Sequence, residues 1–166
     1  MLTANPGGIQ ISKTITLAAS GGSESLNCFT LTGSVWVRQL WGVIQDATSF
    51  ATCTAASFIL YEATGPSTNQ LTKNDGVLSA MAVGTVFAKV GLAGVTFGVL
   101  NNAAGAVLEP GAAGQIFSEF MVTQRTGAVV TTIQFQYTTA ATPIIGTAQI
   151  YATYTPLTAG SKLIPA

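Results

Sequence analysis

Segment 129–157, VVTTIQFQYTTAATPIIGTAQIYATYTPL, constrains the chain most. In its first half Ile133, Phe135 and Tyr137 alternate with Thr132, Gln134, Gln136 and Thr138. In its second half Ala148, Ile150, Ala152 and Tyr154 alternate with Gln149, Tyr151, Thr153 and Thr155. A period of two is that of a strand with one buried face. The segment is expected to form two long strands joined as a hairpin across 138–146. The outward set is Gln, Thr and Tyr, without a charge. A strand facing bulk water usually carries Lys, Glu or Arg, whereas an uncharged polar face suits contact with another protein. Gln134, Gln136, Gln149 and Tyr151 are therefore candidate interface residues on a hairpin that also carries the core.

Composition extends the same argument. A chain of 166 residues is about one domain and buries one full core. Charged residues make up 7% of it, against about 25% in a typical soluble domain. Six Lys and Arg balance six Asp and Glu. A neutral, charge-poor surface associates rather than repels, which is a liability for a free monomer and acceptable in a permanently assembled subunit. Nucleic acid is not expected as a partner, because no basic stripe exists to displace counterions.

The residues that carry most enzyme chemistry are missing or dispersed. Histidine is absent, which removes the commonest general base, metal ligand and pH switch. No Gly-x-Ser-x-Gly, P-loop or dinucleotide fingerprint occurs. The carboxylates Glu24, Asp46, Glu62, Asp75, Glu109 and Glu119 are scattered, whereas a glycosidase needs two flanking one cleft. Asn74-Asp75-Gly76 reads as a turn rather than a calcium loop. Cys28 and Cys53 have no zinc or redox spacing and read as small buried hydrophobes rather than a disulfide. The expectation is a non-enzyme with no metal and no cofactor.

The remaining chain reads as strands and turns, with no internal repeat. Residues 1–8, with Asn5-Pro6-Gly7-Gly8, form an extended N-terminal arm or a frayed terminus. They carry neither the basic nor the apolar region of a signal peptide. Strands are expected over 9–17, 26–31 and 35–46. In the last, Val35, Val37, Trp41 and Val43 fall on one face and Trp36, Arg38, Leu40 and Ile44 on the other. Both faces are apolar, so this strand is expected to be covered on both sides. Trp36 and Arg38 are candidate interface residues; the plainer reading of Arg38 is a guanidinium stacked on Trp36 and paired to a carboxylate.

A further strand pattern covers 50–62, followed by a polar loop over 64–76 with a turn at Asp75-Gly76. Segment 77–100 is apolar and long enough for a membrane span. Lys89 near its middle and its glycines and β-branched residues read instead as two short strands, and no membrane partner is expected. Residues 101–114 form a loop, 116–123 a strand and 124–128 a turn. Residues 9–157 are thus a single domain, flanked by the arm and by a tail over 158–166. Both ends carry too little to order themselves. Leu2 in the arm, and Leu163 and Ile164 in the tail, are candidate anchors on a partner. The fold class expected is an all-β antiparallel sandwich of eight to ten strands, a jelly roll or another Greek-key topology.

Three stretches also carry a family resemblance. They are Val35-Trp36-Val37 leading to Leu40-Trp41-Gly42-Val43-Ile44, then Val107-Leu108 with Pro110 and Gly114 before a strand, then Tyr154-Thr155-Pro156-Leu157. In this order the chain resembles, over most of its length, small β-sandwich structural proteins encoded with the head genes of tailed bacteriophages. The resemblance implies a virion subunit of the capsid cement or decoration type. Such a protein would be a homodimer or homotrimer bound to the major capsid protein on the capsid surface, after assembly in the host cytoplasm. A fibre or receptor-binding head domain would share the fold, and a carbohydrate-binding module would need a platform of exposed aromatics.

Overall fold

The structure, a computed structural model, describes residues 8–18, 21–46, 53–63, 67–79, 81–92, 94–96, 98–100, 119–125, 130–139 and 146–166. These hold eleven strands: β1 Ile9–Leu17, β2 Ser23–Thr32, β3 Ser34–Ile44, β4 Thr54–Glu62, β5 Ser67–Gln70, β6 Val86–Ala88, β7 Gly98–Leu100, β8 Phe120–Thr123, β9 Thr131–Thr138, β10 Gly146–Pro156 and β11 Lys162–Pro165. All pairings between them are antiparallel. No helix among the described residues is long and apolar enough to cross a membrane, and 77–100 contains β6 and β7.

The pairings nest. β1 lies against β10, β2 against β9, β3 against β8 and β4 against β5. This is one long hairpin rolled up so that its strands fall into two sheets, with orders β1-β10-β3-β8 and β2-β9-β4-β5. That arrangement is a jelly roll. Strands β6 and β7 extend the first sheet along the edge of β3 that also holds β8, and β11 extends the second sheet beside β2.

Four expectations are corrected here. First, β9 and β10 are not a hairpin: β9 sits between β2 and β4, and β10 between β1 and β3. Each strand has a complete apolar face, and two such faces cover one another when the strands belong to opposite layers. Second, the apolar pattern of β3 changes sides part-way along. Gln39 pairs with Thr153 and Val37 with Tyr154, so Arg38 has no opposite residue. This β-bulge puts Arg38 and Gln39 on the same side and shifts the alternation by one. Val35, Val37, Leu40 and Ile44 face the core, fully buried, while Trp36, Trp41 and Val43 are only partly covered. Trp41 and Val43 are therefore not on the core face, and the outer face of β3 is not sealed.

Third, segment 158–166 is part of the sandwich. Gly160, with φ +80°, lies in the turn that brings β11 back beside β2. Leu163 is buried in the core and Ile164 points outward. The chain's own sheet edge orders the segment, with no partner required. Fourth, the polar stretch 64–76 contains β5. Gly76 exchanges backbone hydrogen bonds with Ala56 in both directions, at 2.9 and 3.1 Å, rather than turning a hairpin.

The layers meet on a cluster of aromatic rings. Phe87, from the first sheet, lies 6.0 Å from Phe58 and 5.5 Å from Phe135, both from the second. Phe135 in turn lies 5.9 Å from Tyr137, whose hydroxyl accepts from the Ala18 N–H at 2.9 Å. Gly42 on β3 makes room for Phe87: a Cβ there would lie 2.3 Å from its Cζ and 2.7 Å from Ile150 Cδ1. Neither neighbour has free space, since both are fully buried. Gly42→Ala is accordingly expected to lower unfolding free energy by about 1–3 kcal/mol, measured by urea denaturation. An unchanged midpoint would show that Phe87 is not wedged against β3.

Candidate functional site

The outer face of the first sheet carries aromatic and uncharged polar side chains beside one ion pair. Along β10 it presents Gln149, Tyr151 and Thr155, with Thr153 on the same side but buried, and along β3 Trp36, Gln39, Trp41 and Val43. Ser12 and Thr14 of β1 adjoin Tyr151 and Gln149, and Met121 of β8 lies opposite Trp36 with 73% of its surface exposed.

Cross-strand register builds the pairs on this face. Tyr151 and Trp41 are directly opposite, and their rings stack with centroids 4.1 Å apart and planes inclined by 12°. On the far side of Trp41 the register places Ala88, which is fully buried. The Arg38 guanidinium covers one face of Trp36 at 4.3 Å. Its Nε donates to Thr155 Oγ1 at 3.1 Å and its Nη1 lies 3.6 Å from Glu119. Polar side chains link into pairs: Thr14 donates to Gln149 at 2.5 Å and Thr153 to Gln39 at 3.3 Å. Arg38 and Glu119 bring opposite charges to the face, so it is electroneutral.

The outer face of the second sheet is different. Gln134 lies there as expected but is buried, its Nε2 donating to Asn27 Oδ1 at 2.7 Å. Ile59, in register beside it, is buried too. Gln136 is partly exposed, and Ser23 and Thr138 share a hydrogen bond of 3.0 Å. The hydroxyls and amides of this face are only partly bonded to one another, since the buried Thr132 hydroxyl has no partner among the described residues.

The candidate residues therefore divide. Trp36, Arg38, Gln149 and Tyr151 come together on one surface. Arg38 has the stacked and paired arrangement that was its plainer reading. Gln134 and Gln136 lie on the opposite side of the molecule. Leu163 is core and unavailable to a partner, Ile164 is exposed at the edge of the second sheet, and Leu2 lies outside the described residues. Trp41 and Gln39 belong to the first face although strict alternation puts them on the other, and Met121 of β8 joins them there. The signal for Trp41 is the adjacent polar pair Arg38-Gln39, which interrupts period two inside an apolar strand.

Cys28 and Cys53 are free and buried, and burial pushes both thiols up to about 12, so they are protonated and unreactive at neutral pH. Lys89 is buried, its Nζ donating to the Gly91 carbonyl at 2.7 Å beside the Phe120 ring, and desolvation lowers its pKa. Hydrogen bonds from Lys73 and Thr96 hold Asp75 below the usual carboxylate range at the surface. Among the described residues no three side chains of the Cys, Asp or Glu type gather as metal ligands.

Comparison with protein families, with curated proteins and with solved structures finds no match to this chain.

The thiols give a pH signature. An unfolded cysteine titrates near ~8.5, and both folded values lie above that. Their contribution to stability is complete below about pH 8.5 and is lost as pH rises toward about 12. The denaturation midpoint should fall across that window, and a thiol reagent at pH 8 should label neither cysteine until the protein unfolds. Rapid labelling of the native protein would contradict the burial.

Proposed function

We propose that the chain is a structural subunit of a bacteriophage virion, a capsid cement or decoration protein that lies on the shell of the major capsid protein and stabilises it. The observation that supports this most is the surface of the jelly roll. Its outward strands carry amides, hydroxyls and aromatics, and the first sheet's outer face has no net charge. Such a surface suits permanent burial against protein better than lifelong exposure to water. The resemblance in 35–44 and 154–157 points the same way, since both stretches supply that face. On this reading the protein works by contact alone, in the virion, without catalysis.

A carbohydrate-binding module is the second reading, favoured by the outward position of Trp36 and Trp41. A sugar needs an open ring face. Here Trp41 gives one face to Tyr151 and Trp36 gives one to Arg38, which leaves less platform than the residue types suggest.

Co-sedimentation separates the two. The purified protein is expected to pellet with shells assembled from the major capsid protein of the same virion, and to raise their melting temperature. Soluble oligosaccharides are expected to leave its tryptophan fluorescence unchanged. Protein that stays in the supernatant, or a saturable fluorescence change with an oligosaccharide, would contradict the virion reading.

A further inference from the structure

We infer that the outer face of the first sheet is a two-fold contact that receives the same face of a second copy, with the Trp41–Tyr151 stack at its centre. The inference does not depend on the virion reading, and it would hold for a jelly roll serving any partner.

Position comes first. Strands β10 and β3 are interior strands of their sheet, and Tyr151 is the sixth of the 11 residues of β10. The Trp41–Tyr151 pair therefore stands near the middle of the face rather than at its rim. Gln39, Val43, Gln149, Thr153 and Thr14 surround it. A central aromatic cluster with a border of uncharged polar groups is the distribution of binding energy found in protein interfaces. Trp, Tyr, Met and Arg are the types enriched there, and Lys and Asp, which this face lacks, are depleted.

Size is the second argument. The six strands of this sheet range from 3 to 11 residues, and at ~3.3 Å per residue and ~4.8 Å spacing they cover roughly 650 Å². A standard interface takes about 800 Å² from each partner, and the whole chain exposes 8138 Å². Used whole, the face lies at the small end of the range for specific interfaces, about 600–1,000 Å² per partner.

Charge selects a second copy as the occupant. A two-fold contact sets a patch against itself, so any net charge on the patch is repelled by its image. Arg38 and Glu119 are 3.6 Å apart and cancel within each copy. The chain as a whole has zero formal charge, so no longer-range repulsion opposes the approach. Pairing through the β1 edge is disfavoured by contrast. Lys13, the middle residue of β1, donates to the Ala166 carbonyl and would meet its own image there, the usual way of blunting an edge strand.

Sedimentation velocity tests this with the full chain. The wild type is expected to be a dimer at ~10 µM, in the micromolar range or tighter. Tyr151→Lys places a charge at the centre of the face and should weaken the dimer at least ~30-fold, with the far-ultraviolet spectrum unchanged. Gln136→Lys, on the opposite sheet, should leave the dimer intact. Should Tyr151→Lys not fold, Gln149→Lys on the same face carries the same expectation. A wild-type monomer at that concentration overturns the inference, as does a trimer, which a two-fold contact cannot close. Dissociation by Gln136→Lys, or a dimer that survives the charge on the first sheet, overturns it as well.

Discussion

Over the span where β3 and β10 run side by side, β3 has one residue more. Arg38 takes up the difference, and everything beyond it on β3 points to the side opposite to the one strict alternation would assign. Leu40 and Ile44 then join Val35 and Val37 in the core, and Gly42 comes to face Phe87. Without the extra residue, Trp41 would be directed into a space that Gly42 now leaves for Phe87, and Leu40 and Ile44 would face outward. The bulge thus sets both the packing between the layers and the aromatic character of the outer surface. Arg38 itself lies on that surface, where Trp36, Thr155 and Glu119 hold its guanidinium.

The rest of the fold follows from one-sided strands. Strands β1, β9 and β10 each have one apolar face, and apolar faces are stable only when covered. Nesting the pairs β1·β10, β2·β9, β3·β8 and β4·β5 brings those faces together with no helix among the described residues. The rings of Phe58, Phe87, Phe135 and Tyr137 then span the gap between layers. What remains outside is a first sheet with stacked aromatics and a second with an amide and hydroxyl layer. On the proposed two-fold contact, the first of these faces is the one that meets a second copy.

Much of this was legible in the residues. The faces of β9 and β10 follow from alternation alone, as do the bounds of β1 and the all-β class. The partner of each strand was not legible, because β9 and β10 adjoin in sequence while their neighbours in space lie far along the chain. The fate of Leu163 was hidden for a similar reason: a four-residue strand has too few positions to show a period, and only the edge of β2 orders it. Gln134 lies on the outward face that alternation assigns, but its burial and its hydrogen bond to Asn27 are not visible from alternation within one strand. The bulge left a trace in Arg38-Gln39, two adjacent polar residues inside an apolar strand. Two tryptophans on either side of that pair gave the opposite impression, of a strand covered on both faces.

The account therefore rests on the register between β3 and β10, and interstrand nuclear Overhauser effects across those strands test it most directly. Cross-strand contacts are predicted between Val37 and Tyr154 and between Gln39 and Thr153, with Arg38 opposite no residue of β10. An unbroken ladder that sets Arg38 opposite Tyr154 would return Trp41 to the core face and contradict the account.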